Sequence, residues 1–517
     1  MTASSNSFRA LLVYALVLPL ALILGYSLAT PTDFGTWATL LMVLSVICAP
    51  LILTYHHPLL FLSWNMTAAV FFFPGRPQLW LVLSGLSLGI SVLQRALSRE
   101  ARFIDAHSVV LPLLALAAVA YFTAKITGGF GLRLLGSENV GGKRYVVVFG
   151  AIIGFLAMIA RPIPSGKTNR YVGMYFLGAV TDALASALPF LGPQLYFLFL
   201  IFPVENAGTV QGDFGTHINR LWGLSMGCLG VFFYFLAKHG IRGALNIRKP
   251  LRLLAFLGVI VLAAFGGFRS VYVLMAMTFL LLFYLEGLVR SKYIVGLFMA
   301  LIVTAVVVFP FANKLPLPMQ RTLSFLPVHI DPIAQYDAQT STEWRIQMWQ
   351  QVLPEVPKYF WLGKGMGISG GDLELAMELQ RRGSLSSQEM MILAGDYHSG
   401  PLSLIIPLGI WGVIAFGWFL IASVRALYLN FRYGDESLKR INTFLLAYFI
   451  ARIINYIFIF GGFYGDLAIF CGIVGLNIAL NGGIRQPTRA LAPAPGPAPD
   501  KGLEPPMGAV PVFGRTT

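Results

Sequence analysis

The sequence has 517 residues, of which 57% are apolar and only 11% are charged, with a mean hydropathy of +0.73. Soluble proteins carry roughly 25% charged residues, so this composition excludes an ordinary soluble protein and a disordered chain, and it predicts a membrane protein. The formal net charge of +15 would suggest a nucleic-acid partner in a soluble chain. In a polytopic membrane protein the same excess first indicates the positive-inside bias, so no nucleic-acid partner is expected.

Because a helical span takes about 20 apolar residues, the apolar runs predict about 12–14 spans. The predicted fold class is therefore all-α, a polytopic inner-membrane helical bundle with one long extracytoplasmic loop that carries short helices. The apolar runs lie near 9–29, 37–54, 57–73, 78–94, 107–124, 145–160, 171–203, 221–237, 251–268, 270–289, 293–312, 399–424, 441–460 and 464–481. The run at 171–203 contains Pro189 and Pro193, which predict a broken helix or a span followed by a re-entrant piece.

The basic residues predict the topology of these spans. With the amino terminus in the cytoplasm, most dense Lys and Arg clusters fall in cytoplasmic loops, and the Gly-rich segment 125–144 is the exception. This register predicts that both termini are cytoplasmic. It divides the chain into membrane helices 1–11 at 1–312, an extracytoplasmic loop or lid at 313–398, three final membrane helices at 399–481, and a disordered Pro/Ala-rich cytoplasmic tail at 482–517.

The long loop contains two helical patterns, at 343–353 and 372–393, separated by the turn-rich sequence GKGMGISGG. These helices lack a full core of their own. They are therefore expected to pack on the membrane helices as a lid.

No soluble-enzyme motif is present, so the chemistry must lie in polar residues that a membrane tolerates poorly. Among the charged residues within spans, we single out Asp182, Glu286 and Arg452. Glu286 is expected to pair with Arg290, its i+4 neighbour. Asp182 and Arg452 lie deeper, and they either pair with each other or serve a functional site.

A second polar group is predicted at the outer side, formed by Arg220, Arg269, Arg345 and His398. Arginine offers a forked set of donors that suits phosphate oxygens, and histidine is the side chain best suited to accept a proton near neutral pH. The alternative for each arginine at a span end is a lipid-headgroup anchor. The alternative for the histidine is a structural hydrogen bond.

These residues lie in motifs that resemble the O-antigen ligase and Wzy-type polymerase superfamily of bacterial envelope polysaccharide assembly. EWRIQMW is similar to an Arg-x-x-x-Trp motif at Arg345 and Trp349, WLGKGMG to a Gly-x-Gly turn, and DYHSGPL to a His-x-x-x-Leu motif at His398. Arg269 is similar to the Ser-Arg pair at the start of a span in that family, although here Ser270 follows the arginine. The motif-bearing part covers roughly 217–424.

The resemblance implies transfer of a saccharide from an undecaprenyl-pyrophosphate carrier to an acceptor glycan or glycolipid, on the outer side of the bacterial inner membrane. Besides the lipid bilayer, a chain-length regulator is a further candidate partner. The implied catalytic residues are His398, Arg269 and Arg345, and the implied substrate-binding residues are Arg220, Arg452, Trp349 and Asp182. Neither a metal nor a cofactor is expected, because the early outer loop that carries acidic metal ligands in metal-dependent lipid-linked glycosyltransferases has Asp33 alone.

Two questions stay open at this point. Polymerase and ligase share their chemistry and differ in the acceptor, which is a second lipid-linked chain or a lipid A core sugar. The loop at 313–398 has seven basic and nine acidic residues, which favours the polymerase because docking to phosphate-bearing lipid A would favour a basic loop.

A lipid-linked saccharide transporter or flippase and a polysaccharide-binding subunit are the alternatives from other classes. The sequence shows no internal repeat of the transporter kind.

Overall fold

A computed structural model describes residues 34–486 apart from 72, 74, 99–102, 131–138, 204–208, 212–217 and 383–385, together with 17–19, 21–22 and 25–26. The α-helices with described bounds are α1 (Phe34–Ser63), α2 (Leu79–Leu97), α3 (His107–Ile126), α4 (Lys143–Met158), α5 (Thr168–Leu177), α6 (Val180–Leu191), α7 (Trp222–Ala244), α8 (Pro250–Ala264), α9 (Arg269–Leu285), α10 (Lys292–Val308), α11 (Leu317–Leu323), α12 (Pro332–Val352), α13 (Val356–Tyr359), α14 (Gly370–Arg381), α15 (Ser387–Leu393), α16 (Gly400–Tyr433), α17 (Lys439–Phe458) and α18 (Phe463–Asn481). The strands are β1 (Asn139–Val140), β2 (Thr209–Gln211), β3 (Asn219–Leu221) and β4 (Ile368–Ser369), and the 3₁₀ helices are Ser165–Lys167, Pro193–Leu200, Leu288–Arg290, Phe309–Lys314, Leu353–Glu355 and Glu436–Leu438.

The described part of the chain contains nine helices that are long and apolar enough to cross a membrane, and α8 and α9 are shorter apolar helices beside them. Five helices, α11–α15, lie in the long loop between α10 and α16, and all but the 21-residue α12 are short. This confirms the predicted all-α polytopic bundle with a helix-bearing loop. Most of the predicted span at 9–29, and the predicted disordered tail from 487 onward, lie outside the described residues.

One predicted pair of spans is wrong. The sequence predicts separate spans at 37–54 and 57–73, whereas α1 runs through both without a break and ends at residue 63. Two consecutive histidines interrupt the apolar pattern, but tertiary contacts satisfy them inside the bundle. The Nδ1 atom of His56 lies 2.8 Å from the Ser87 hydroxyl of α2, and His57 hydrogen-bonds a backbone carbonyl at the end of α4. The helix can therefore continue, and one predicted crossing disappears.

The predicted break within 171–203 is confirmed. The segment forms α5, α6 and the 3₁₀ helix Pro193–Leu200, and Gly192 adopts a φ of 103° where α6 ends. Gly can take this conformation without the steric penalty that a Cβ would add. The break therefore lies at Gly192, whereas Ser165–Leu191 remains one helical run long enough to cross a membrane.

A second glycine breaks α7 near the end remote from the long loop. Gly240 has a φ of 61°, and the broken turn leaves the Ile241 N–H free to donate to Oε1 of Glu286, at 3.1 Å. The predicted Glu286–Arg290 pair is therefore wrong. The carboxylate instead satisfies a backbone donor on the neighbouring helix.

The long loop is fixed to the bundle at a break in α16. Gly409 has a φ of 65°, which interrupts the helical hydrogen bonds around it. The freed carbonyls of Ile406 and Pro407 accept hydrogen bonds from the backbone N–H groups of Lys364 and Gly365, at 2.7 and 2.9 Å. The Gly-x-Gly turn of the loop is thus seated in the helix break. In addition, β4 pairs with β1, so the loop is held at two places.

Candidate active site

Four arginines of the described chain lie near one another where the long loop meets the bundle, and two of them contact one aspartate. Arg220 comes from β3, Arg269 begins α9, Arg321 lies on α11 and Arg345 lies on α12. Asp337 of α12 is fully buried and accepts from Nη2 of Arg220 on both oxygens at 2.8 Å, and it also accepts from Nε of Arg321. One carboxylate cannot neutralise four guanidinium groups, so this arginine cluster carries an excess of positive charge.

The protein keeps these charges close together although burial and repulsion oppose it. Burial and then the charge of Arg220 lower the pKa of Arg321 to about 10. Burial, followed by the charges of Arg321 and Arg220, also lowers the pKa of Arg345. An arginine pKa of this size still leaves the group protonated at neutral pH. A cluster of this kind is suited to an anion that would supply the missing negative charge.

Arg269 links the membrane helix to the loop. Its guanidinium donates to the Ala338 carbonyl at 2.8 Å, to the Thr342 hydroxyl at 3.2 Å and to the Ser324 hydroxyl at 3.4 Å. The two η nitrogens thus already have acceptors in the protein. The described contacts make Arg269 a tether that holds the loop over the start of α9.

Arg345 and His398 share one aromatic side chain. The Arg345 guanidinium lies 5.6 Å from the centre of the Phe460 ring, and the His398 imidazole stacks on the same ring at 5.3 Å. Trp344 flanks the imidazole from the loop, at 5.4 Å. The sequence prediction that Arg345 and His398 come together is consistent with this arrangement.

His398 has the geometry of a proton acceptor held in a strained position. Its φ of 47° is a left-handed conformation that only a few per cent of non-glycine residues adopt. Burial lowers its pKa, the Asp396 carboxylate 3.7 Å from Nδ1 raises it, and Arg345 lowers it, with a net lowering below 6.5. The imidazole is therefore mainly neutral at pH 7 and can accept a proton.

Trp349 contacts the backbone of the residue that precedes this histidine. Its indole Nε1 donates to the carbonyl of Tyr397 at 3.0 Å, and its ring packs against a small core formed by Met348, Val352, Tyr397, Leu402 and Ile406. This core joins α12 to the start of α16. The structure thus places Trp349 in a positioning role next to the histidine backbone.

Two adjoining cavities meet at His398. The arginine cavity, about 310 Å³, is lined by Arg220, Arg345, Trp344 and His398 among others. The carboxylate cavity, about 490 Å³, is lined by Asp182, Asp396, Asp466, Arg452 and Asn455 among others. Both cavities have Trp222, Ser270, His398 and Phe460 in their walls.

Of the two alternatives for Asp182 and Arg452, a pair between them is wrong. Arg452 forms its ion pair with Asp466 at the start of α18, and Asp466 also accepts from the Gly462 N–H at 2.8 Å. Asp182 lies across the same cavity and accepts a hydrogen bond from Thr67. Both predicted residues therefore line one cavity, but with other partners.

Sequence reasoning missed three charged residues of this region, Arg321, Asp337 and Asp466. The first two lie in the long loop, where charge is ordinary. Asp466 gave a signal, because an acidic residue in the first turn of an apolar span is costly unless it is paired. Within the part of the chain that the structure describes, no three His, Cys, Asp or Glu side chains gather in a way that could hold a metal ion.

Comparison with known proteins bears on this region. Residues 250–417 match the family model described as O-antigen ligase, about a third of the chain. The matched segment contains Arg269, Asp337, Arg345 and His398, whereas the carboxylate cavity draws mainly on residues outside it. No curated protein matches the chain. The chain is a multi-pass membrane protein, and its segment 250–417 is similar to the O-antigen ligase family.

Proposed function

We propose that the protein polymerises lipid-linked oligosaccharide repeat units into O-antigen or exopolysaccharide by metal-independent glycosyl transfer. The observation that carries the proposal is a cavity wall in which Arg220 and Arg345 lie beside the strained, mainly neutral imidazole of His398. The donor is an undecaprenyl-pyrophosphate-linked saccharide, and the reaction takes place at the extracytoplasmic face of the bacterial inner membrane.

The arginines act on the diphosphate of the donor. Arg345 lines the cavity, and its described contact is with an aromatic ring, so its donors suit phosphate oxygens. Arg220 lines the same cavity, and its Nε is buried and has no hydrogen-bond partner among the residues that the structure describes. Arg269 contributes its charge and holds the loop in place. Fixed positive charge next to the leaving group stabilises the negative charge that develops as the bond to the sugar breaks.

His398 acts on the acceptor. The acceptor hydroxyl gives its proton to the imidazole, and its oxygen forms a new bond to the anomeric carbon of the donor sugar. The bond from that carbon to the diphosphate oxygen breaks, and undecaprenyl diphosphate leaves with the electron pair. Because Asp396 lies on the Nδ1 side, Nε2 is the nitrogen that takes the proton, and the carboxylate stabilises the imidazolium.

The distribution of charge supports an extracytoplasmic site. At the opposite end of α7 and α17 from the arginine cluster lies a large open cavity of about 1430 Å³, whose walls include Lys238, Arg242, Lys292, Lys439 and Arg440. Basic residues of this density are typical of cytoplasmic ends. The long loop and the arginine cavity then face the other side.

The surface of the loop favours a polymerase over a ligase. Of the seven basic residues at 313–398, Arg321 and Arg345 turn into the arginine cluster, where Asp337 offsets part of their charge. The outer face of the loop is therefore not basic, and it would not attract the phosphates of a lipid A core. The alternative is an O-antigen ligase that transfers the finished chain to that core. A chain-length regulator is expected as a partner of the polymerase only.

Deletion of the gene tests both activities. A polymerase deletion should accumulate glycolipid with a single repeat unit, whereas a ligase deletion should accumulate long chains on the undecaprenyl carrier. Re-expression of the wild-type chain or of the His107→Gln variant, a change at an exposed histidine, should restore the wild-type profile. His398→Gln should not restore it at equal protein level. An unchanged lipid and saccharide profile after deletion would refute glycosyl transfer.

Purified protein tests the metal-independent step. With a lipid-linked donor and added chelator, wild-type transfer should persist, and Arg345→Lys should lower the rate about tenfold or more, because a lysine keeps the charge but loses the planar fork. Arg269→Lys should lower it as well, through the lost contacts with the loop. Loss of wild-type transfer on chelation would contradict the mechanism.

A further inference from the structure

The carboxylate cavity has the opposite charge from the arginine cavity next to it. Among the described residues, three carboxylates line it, Asp182, Asp396 and Asp466, against the one guanidinium of Arg452. Since Arg452 is already paired with Asp466, the cavity has no positive charge to spare. A diphosphate would be repelled here, and an acyl chain would have to desolvate the charged groups. Neutral hydroxyl groups, which can donate to carboxylates and accept from N–H groups, suit this wall.

Two donors in the wall lack a partner. The Nε of Arg452 and the Nδ2 of Asn455 are both buried, and neither has a hydrogen-bond partner among the described residues. The two residues lie three positions apart on α17, so they are neighbours on one helix face. Buried polar groups are nearly always satisfied in a native protein, and an exception calls for an explanation. A bound ligand with acceptor oxygens would supply one.

Aromatic side chains complete the cavity. Trp222, Tyr464 and Phe460 line it and are each partly exposed, and Tyr448 lines it from a more buried position. Mostly apolar walls with a few placed polar groups are typical of small-molecule sites, and about 490 Å³ falls within the range of such sites. The combination of aromatic faces, carboxylates and unpaired N–H groups matches the alternating apolar and hydroxyl surfaces of a saccharide.

We infer that the carboxylate cavity binds the acceptor saccharide, while the arginine cavity binds the diphosphate of the donor. This inference rests on the proposed function and assigns its second substrate. His398 lies in the walls of both cavities, so a saccharide held by Asp182, Arg452 and Asn455 can present a further hydroxyl group to the imidazole, next to the donor sugar. The two substrates are sorted by charge, because each cavity disfavours the other ligand.

Binding measurements on the purified full-length chain separate the two cavities. The sugar probes are the repeat-unit oligosaccharide released by mild acid from the lipid of the deletion strain and the core oligosaccharide of the same strain. The anion probe is inorganic pyrophosphate. We expect Asn455→Leu and Asp182→Asn to weaken binding of the sugar probe about tenfold or more, with pyrophosphate binding unchanged. Arg345→Gln should weaken pyrophosphate binding and leave binding of the sugar probe unchanged. Asp105→Asn makes the same chemical change as Asp182→Asn at an exposed site, and it should change neither affinity.

The outcomes distinguish the inference from the proposed function. Absence of binding of both sugar probes to the wild-type chain, or an Asn455→Leu variant that is as well folded as the wild type and binds sugar normally, would overturn the inference alone. Pyrophosphate that binds equally to the wild type and to Arg345→Gln would overturn the assigned donor site. Since the amide nitrogen of Asn455 has no hydrogen-bond partner in the described part of the chain, its replacement should not lower the unfolding temperature. If Asn455→Leu fails to fold, the amide is structural and the inference is wrong.

Discussion

Asp337 is the residue on which the arginine cluster depends most. It is fully buried, it receives hydrogen bonds from Arg220 and Arg321, and it supplies the single carboxylate in contact with these guanidinium groups among the described ion pairs. Asp337→Asn keeps the size of the side chain and removes its charge. The new amide would also direct N–H donors at the guanidinium groups, where the wild type presents an acceptor.

The cost of this change follows from the burial of all three groups. The side chains of Arg220 and Arg321 are 9% and 4% exposed, so water cannot replace the lost carboxylate. Removal of one partner from a buried ion pair costs about 3–5 kcal/mol, because the remaining charge stays buried and unpaired. Replacement of Arg321 by Met in the same chain removes one of the two stranded cations. It should recover about 0.5–3 kcal/mol, the usual coupling between residues in direct contact.

Unfolding of the purified protein in detergent, followed by tryptophan fluorescence, measures these differences. Asp331→Asn is the matched control on the same helix, because Asp331 caps α12 by accepting from the Ile333 N–H at 2.8 Å, and asparagine caps a helix about equally well. We expect the control to unfold like the wild type. An Asp337→Asn variant that does the same, or a double variant that is less stable than the single one, would refute the account of the cluster.

Three further predictions concern the histidine, the loop and the membrane pair. The Asp396 carboxylate raises the pKa of His398, so Asp396→Asn should move the fall in transfer rate at acidic pH to a lower pH. The transfer rate measured over about pH 5–8 would show this shift. An unchanged pH dependence would contradict the interaction between Asp396 and His398. Gly409→Ala should make proteolytic cleavage of the long loop faster, at a cost of about 1–2 kcal/mol, because Gly409 has a φ of 65° and the new Cβ would lie 2.9 Å from two carbonyl oxygens. Gly417→Ala is the control: it has open space around it, so cleavage should not change. Arg452→Leu should reduce the folded yield through a loss of about 3–5 kcal/mol, and a second leucine at its carboxylate partner should restore the yield; a yield that falls further would be evidence against the pair.

The sequence alone determined the class of the protein and the neighbourhood of its site. Low charge and long apolar runs require an all-α membrane bundle, because only helices and closed barrels satisfy backbone hydrogen bonds within a bilayer. Helices in the long loop were predictable because their pattern is local, but the pattern at 372–393 corresponds to two helices, α14 and α15, and not to one. Arg345 and His398 could be placed together because their motifs flank one loop, and the structure has both beside Phe460.

The tertiary structure decided which charges meet. Arg220 and Asp337 are 117 positions apart in the sequence and yet form an ion pair. The packing of α17 against α18 places Asp466, rather than Asp182, next to Arg452. Tertiary contacts also decided the length of α1. Its two consecutive histidines look like a break in the sequence pattern, but hydrogen bonds to other helices allow α1 to continue through them. A buried polar group takes whatever partner the packed helices bring within hydrogen-bond distance, and the energy of an unsatisfied group makes that choice decisive. Sequence spacing carries no record of such distances, so the division into an arginine cavity and a carboxylate cavity emerged only from the fold.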